Sequence, residues 1–423
     1  MMDGPTEMRT VHDREARAAL LERLDRSAAR VLVVAGVAAA ACAGGERSGG
    51  PIVRDSAGVV IVENAEIGGA DAELRVAPTP VLEIGRADGE GPDVFGSVRR
   101  AIRLRSGEIA IADGLAREVR VFDATGRHRL TFGRQGEGPG EFANLWWIDE
   151  LDGDSILAVD NLNARVSVFD GGGAFVRSFG LPRLPGAAAP DIVGLLDDGA
   201  LVISAWSTLS SRDAGERREV IVYTVDRDGG AAATVGRYPD RDVGGNGMGV
   251  VFGSEAVVAV GDSSIWYGHT SRFELRALDR DGSVRRIVRL DRTRRPVTEA
   301  EIAAARARSE ESLRRQGVSA ATMRRVMESE FAEAHPVHGR VLVDEVGRLW
   351  VARVRRSGGA GGADPEEPRP EAWDVFDADG RALGRVVMPP GFRAVAIGES
   401  DVVGVHTDAL GVERVQVYGL MGG

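Results

Sequence analysis

One segment recurs along this chain and limits what it can fold into: a short alternating strand that runs into a tight turn. It reads REVRVFDATG at 117–126, RVSVFDGGG at 165–173, REVIVYTVDRDG at 218–229, RFELRALDRDG at 272–282 and WDVFDADG at 373–380. A sixth copy, VERVQVYGL at 412–420, ends the chain. Side chains alternate with period two, as a half-buried strand requires. The Asp-x-x-Gly after the strand suits a hairpin, because Asp bonds its own backbone and Gly accepts a positive φ. The marker residues are Asp123, Asp170, Asp226, Asp279 and Asp377, with successive gaps of 47, 56, 53 and 98. The first three gaps fit one four-stranded unit per repeat. Glycine, at 56 of 423 residues, is about twice its usual share and agrees with many tight turns.

The long gap has its own explanation. Residues 297–335 switch to helical spacing. Thr298 and Glu301 form a capping-box pair, Val297 and Ile302 suit a hydrophobic staple, and Ser319 suits the start of a second helix. A helical hairpin is therefore expected between two strand units. Residues 355–371, RRSGGAGGADPEEPRPE, read as a flexible loop. Six repeats with no long unpaired edge predict a closed ring. VLEIG at 81–85 stands where an outer strand belongs but has no inner strands before it, while 392–420 has inner strands and lacks an outer one. The two ends are expected to complete one blade. The predicted fold is an all-β six-bladed β-propeller over 52–423, closed by its N- and C-terminal segments and carrying a helical-hairpin insertion.

Ahead of it, residues 31–41 form an apolar run, VLVVAGVAAAA, after Arg26 and Arg30. Eleven residues are too few to span a bilayer as a helix, which takes about 20. A charged start, a short apolar run and small residues before a cut site make an export signal. The chain's one cysteine, Cys42, follows Ala39-Ala40-Ala41. Residues 1–42 thus resemble a bacterial lipoprotein signal, with Cys42 as the acylated residue, although Ala39 stands where Leu is usual. Residues 43–51 read as a tether. A single cysteine excludes an internal disulfide framework or a cysteine zinc cluster.

The GRADGEGPDVF segment at 85–95 and GRQGEGPGEF at 133–142, followed by the DNLNARVSVFDGGG of 160–173, resemble NHL-type repeats. With RDSAGVVIVEN at 54–64, GRLWV at 347–351 and the GVERVQVY ending, the chain over 52–420 is similar to six-bladed propeller lipoproteins of environmental bacteria. That resemblance implies the fold and an envelope location, on the periplasmic side of the outer membrane or at the cell surface. It implies no set activity.

In such a ring the loops entering each inner strand and those joining second to third strands share one face, where a ligand is expected. Several residues fall there. The glycine-rich loops read as blade-to-blade turns, since no Lys-Ser/Thr or helix start follows them. Asp113, Asp160, Asn161 and Asn163 carry the hard oxygens that Ca²⁺ takes, and propeller lactonases and lyases similar to this fold hold such an ion. The same residues also suit loop capping. His269, His338 and His406 fall on successive blades, and three imidazoles with an open position suit Zn²⁺, as in the NHL-related amidating lyase. Arg117, Arg165, Arg218 and Arg272 open the third strands and suit either a ring of ion pairs or a mouth for carboxylates. Of Trp146 and Trp147, alternation sends one to the core and leaves the other for the mouth.

The function expected is a membrane-anchored, extracytoplasmic module that binds a protein or small-molecule ligand, with no firmly implied cofactor. A metal-dependent lyase or lactonase-type hydrolase is the alternative. An RNA-binding role is disfavoured by a net charge of −11 and by export, since phosphate backbones need a basic field. All 53 basic residues are arginine; the chain has no lysine.

Overall fold

The computed structural model describes residues 50–65, 67, 74–208, 218–261, 263–354 and 370–422. The segment expected to be an export signal with Cys42, most of the expected tether and all but the last two residues of the 355–371 loop lie outside these. The described chain is a succession of antiparallel sheets in which consecutive strands pair side by side. Blade 1 spans 98–132, blade 2 spans 145–180, blade 3 spans 187–239, blade 4 spans 256–290 and blade 5 spans 341–387. Blade 6 takes its three inner strands from 392–422.

The sixth blade closes as the sequence predicts. The last strand, Glu413–Gly422, serves two short N-terminal partners. Val417 faces Leu82 and Val415 faces Ile84, while Leu420 faces Val76. Six hydrophobic clusters fill the six gaps between neighbouring blades. Ile102, Phe132, Leu145 and Phe169 join blade 1 to blade 2. Ile84, Ile109, Val403 and Val415 join blade 6 back to blade 1. A core that runs from each blade to the next and returns to the first is a closed ring, and residues 50–423 form it as one compact unit of their own.

Because each blade packs on a neighbour at either side, its middle strands are buried on both faces. Ile109–Asp113 and Ile265–His269 are buried at every position. Outer strands are the most open, Phe175–Gly180 being exposed or half-buried at every position. The five Asp-x-x-Gly turns form as expected. Each glycine donates its N–H to the marker aspartate's carbonyl at 2.8–2.9 Å, with φ between 79° and 87°.

Two features add to the ring. The insertion folds into α1 (Glu299–Gln316), with the Thr298–Glu301 capping box in place, and α2 (Ala320–Met327), capped by Ser319. A hairpin of Ile52–Ser56 and Val59–Asn64, which the repeat pattern does not reveal, lies outside blade 4 and extends its sheet to six strands. Its second strand runs parallel to Val284–Leu290. Asn64 donates to the carbonyls of Arg289 and Gly380 at 3.1 and 2.9 Å, tying blade 4 to blade 5.

Candidate functional site

The loop face is organised by buried aspartates. Asp113 Oδ1 accepts the N–H groups of Ser97, Leu115 and Ala116 at 3.1–3.2 Å, and Oδ2 accepts that of Gly96 at 3.0 Å. Asp160 repeats this one blade on. Its Oδ1 accepts from Asn144, Leu162 and Asn163 backbone N–H groups, and its Oδ2 from Ala143 N–H and Asn163 Nδ2. Asn161 Oδ1 accepts Asn144 Nδ2 at 2.6 Å. These oxygens are therefore spent on holding the loop between second and third strands to the loop that enters the blade. Asp113, Asp160, Asn161 and Asn163 thus have the loop-capping role that the sequence also offered, whereas Ca²⁺ needs six to eight oxygens turned toward it.

The histidines do not form a zinc site either. Among the described residues no three His, Cys, Asp or Glu side chains gather as a metal-binding group. His269 meets Ser271 through Nδ1 and the Asp240 carbonyl through Nε2, both at 2.7 Å. His338 is fully buried, its Nδ1 is 2.8 Å from the Gly339 carbonyl, and its ring is edge-on to Phe273. Burial, with the Arg292 cation nearby, holds its pKa down to about 4, so it is neutral at pH 7. His406 sits one blade further round, in the second strand of blade 6 opposite Phe392.

The third-strand arginines share no common ring of ion pairs; each meets a different need. Arg165 donates to the carbonyls of Glu137 and Glu141 at 2.7 and 2.6 Å, clamping the glycine-rich loop that enters its own blade. In blade 1 that task falls to Arg120, which donates to the carbonyls of Pro92 and Val94. The 85–95 and 133–142 loops are thus blade-to-blade connections, as expected. Arg218 stacks on Trp206, and the exposed Arg272 pairs with Glu274 of its own strand. Arg117 adopts a left-handed φ of 60° at the end of its turn, and among the described residues its side chain has no partner.

The inner strands carry the cationic part of the mouth, which sequence reading did not find. Bulges in blades 1 and 2 insert one extra residue near the loop-face end of the inner strand, Arg99 and Trp146 respectively. Bulges re-aim side chains in this way. The Arg99 guanidinium stands 5.1 Å over the Trp146 ring, whose Nε1 donates to Asp191 at 3.1 Å. Trp147 is core, so alternation divides the pair as predicted. Across the ring, Arg340 pairs with Glu371 at 2.8 Å and donates to the Ala394 carbonyl. Arg393, next to it, is crowded by protein atoms yet open to solvent, and burial together with Arg340 lowers its pKa. Among the described residues neither Arg99 nor Arg393 forms an ion pair, although the Glu413 and Glu371 carboxylates act on Arg393 from further off. Below lies a channel of about 1160 Å³, lined near the mouth by Arg100, Asp149, Asp191, Trp206 and Arg241.

Sequence comparison with curated proteins gives no match. Among solved structures, a member of the DUF4221 family from Bacteroides vulgatus has a TM-score of 0.55 at 11% identity, covering 84% of this chain and 100% of that one. A candidate exported protein of Bacteroides fragilis has a TM-score of 0.46 at 13% identity, covering 86% and 99%. A gluconolactonase from Xanthomonas campestris has a TM-score of 0.39 at 12% identity, covering 77% and 88%. At these identities the likeness is one of fold. The chain is a six-bladed β-propeller, and its residues 95–236, through most of the third blade, match the family model DUF5128, described as a 6-bladed beta-propeller.

Proposed function

We propose that this protein is an exported, lipid-anchored binding module whose ligand is a small carboxylate-bearing molecule held at the loop-face mouth of the channel. The observation that carries the ligand class is the pair of arginines, Arg99 and Arg393, on the loop-face side of the inner strands of blades 1 and 6, neither of which forms an ion pair among the described residues. Several other arginines of the ring are paired with acids, as in Arg103–Asp401 at 2.5 Å, Arg292–Asp374 at 2.7 Å and Arg340–Glu371 at 2.8 Å. An arginine fork matches a carboxylate in two parallel hydrogen bonds, and Trp146 holds one fork by stacking. Export and anchoring rest on the apolar run 31–41 and Cys42. A metal-dependent lyase or lactonase loses support, because neither proposed ligand set assembles.

Titration calorimetry of residues 50–423 against glucuronate, succinate and glutarate tests the site. At least one should bind, and Arg99→Met with Arg393→Met should weaken it at least about tenfold while the unfolding midpoint stays put. Binding that survives both substitutions, or no binding of any of the three at millimolar concentration, overturns the carboxylate assignment.

A further inference from the structure

Three of the most exposed apolar side chains occupy the loops between second and third strands. Leu115, Leu162 and Leu410 are 71%, 73% and 89% exposed. Each is the third residue of an Asp-x-Leu turn between second and third strands: Asp113-Gly114-Leu115, Asp160-Asn161-Leu162 and Asp408-Ala409-Leu410. In each, the leucine N–H donates to Oδ1 of the aspartate, at 3.1, 3.1 and 2.9 Å. The turn uses only this N–H, so it makes no demand for a leucine side chain. Single exposed leucines are ordinary. Blades 1 and 2 share one turn, with the left-handed residue at Arg117 and Ala164, while blade 6 closes a tighter turn at Gly411, yet all three present an exposed leucine two residues after the turn aspartate on consecutive blades, and together they call for an apolar partner.

The chain's own course indicates which. Val284–Leu290 is an outer strand that ends at the loop face, because the connection to blade 5 follows it. Val59–Asn64 runs parallel to it, so Ile52–Ser56 runs the opposite way and begins at the loop face, with Ile52 opposite Glu63. Ile52 is itself 64% exposed. The chain toward Cys42 therefore leaves the propeller on the face that displays the three leucines, from blade 4, across the ring from blade 1. Cys42 is ten residues before Ile52, a reach of roughly 33 Å at full extension.

We infer that the loop face docks on a phospholipid bilayer, with Leu115, Leu162 and Leu410 inserted at the interface and the channel mouth turned toward the lipid. This rests on the lipid-anchor reading for its choice of occupant. The unpaired Arg99, Arg117 and Arg393 on this face are offset by the exposed acids Asp88, Glu90 and Glu137 of the neighbouring loops. The leucines rather than net charge thus supply the attraction, and docking needs no anionic lipid.

The test is flotation of residues 50–423 with phosphatidylcholine vesicles, with and without added phosphatidylglycerol. This stretch closes its own ring and carries no Cys42, so the result does not depend on acylation; the mass of the mature N-terminus tests the anchor separately. The domain should float with pure phosphatidylcholine vesicles, and salt should not release it. Leu115→Ser with Leu162→Ser and Leu410→Ser should cut the bound fraction at least about tenfold at an unchanged unfolding midpoint. Val346→Ser, on the opposite face, should leave it intact. No flotation, equal flotation of the triple variant, or flotation only with phosphatidylglycerol and reversed by salt overturns the inference. A dimer of the free domain that the triple variant abolishes, without vesicle binding, overturns it in favour of a second copy as the occupant.

Discussion

Replacing Asp160 by alanine separates a structural carboxylate from a metal ligand. The carboxylate accepts five N–H bonds, four from backbone groups of residues 143, 144, 162 and 163 and one from the Asn163 amide, and the residue is fully buried. A hydrogen bond contributes about 1 kcal/mol net, and a buried donor left without a partner costs about 1–3 kcal/mol. Five donors would set the loss near 5 kcal/mol. The loops they belong to are at the surface, so water reaches some of the freed groups, and a loss of about 4 kcal/mol is expected. Equilibrium denaturation of residues 50–423 in guanidinium chloride, read by tryptophan fluorescence, measures it. Trp146 and Trp147 lie in the strand that Asp160 secures, so the signal reports the same region. The loss should be identical in EDTA and in added Ca²⁺. A loss under about 1 kcal/mol, or one that appears only when Ca²⁺ is removed from the parent protein, would refute the capping role and restore the metal.

Two other outcomes follow from single residues. His338 has a folded pKa of about 4 against an ordinary 6.5, so as pH falls through this window the unfolded chain takes up a proton that the folded one refuses. Its contribution is whole above pH 6.5 and is lost by about pH 4, a decline of about 3 kcal/mol. His338→Asn should flatten the stability profile between those values by that amount, whatever it does to the absolute level, and a parallel profile would contradict the assignment of Arg292 and burial as the cause. Gly229 has φ of 79° and a Cβ there would come within 2.3 Å of the Phe179 ring, whereas Gly153, at φ 74°, faces open space. Denaturant midpoints should place Gly229→Ala about 3 kcal/mol below the parent and Gly153→Ala only about 1 kcal/mol below; equal losses would show that the close approach is not felt.

How much of this was legible in the sequence depends on whether a feature repeats. The turns at Asp123, Asp170, Asp226, Asp279 and Asp377 repeat, so they disclose the blades, their number and the missing outer strand that Leu82–Ile84 supplies. The helical hairpin is legible for a different reason, its capping residues Thr298, Glu301 and Ser319 being local signals. The hairpin at 52–64 is not, because it occurs once and its pairing with Val284–Leu290 spans more than two hundred residues. The site fares worse. Asp113 and Asp160 stand out in the sequence as oxygen donors, but their partners are backbone N–H groups, which carry no residue identity to read. Arg99 was missed because a bulge decides it, and Arg393 because nothing local in the sequence marks an inner-strand arginine as unpaired. Arg99 and Arg100 look alike in sequence, yet the register shift leaves Arg99 over Trp146 and puts Arg100 with Asp149 at 3.2 Å.

The same contrast says where function is to be sought in this ring. A repeated position is under the demands of the blade, and each repeated polar group accounted for so far serves the blade: the turn aspartates bond their own loops, and Arg165 and Arg120 clamp the incoming strands. The two features that the blade does not need are of opposite kinds. Arg99 stands at a bulge and stacks on Trp146, and Arg393 lies two residues before the register shift of its own strand; neither forms an ion pair with an acid among the described residues. Leu115, Leu162 and Leu410 are in the loops between second and third strands, but their side chains are surplus to the turns, which take only the N–H. A polar surplus in the channel mouth asks for a ligand, and an apolar surplus on the rim around it asks for a surface. Both lie on the face from which the chain departs toward Cys42, so the ligand and the surface meet the protein from the same side.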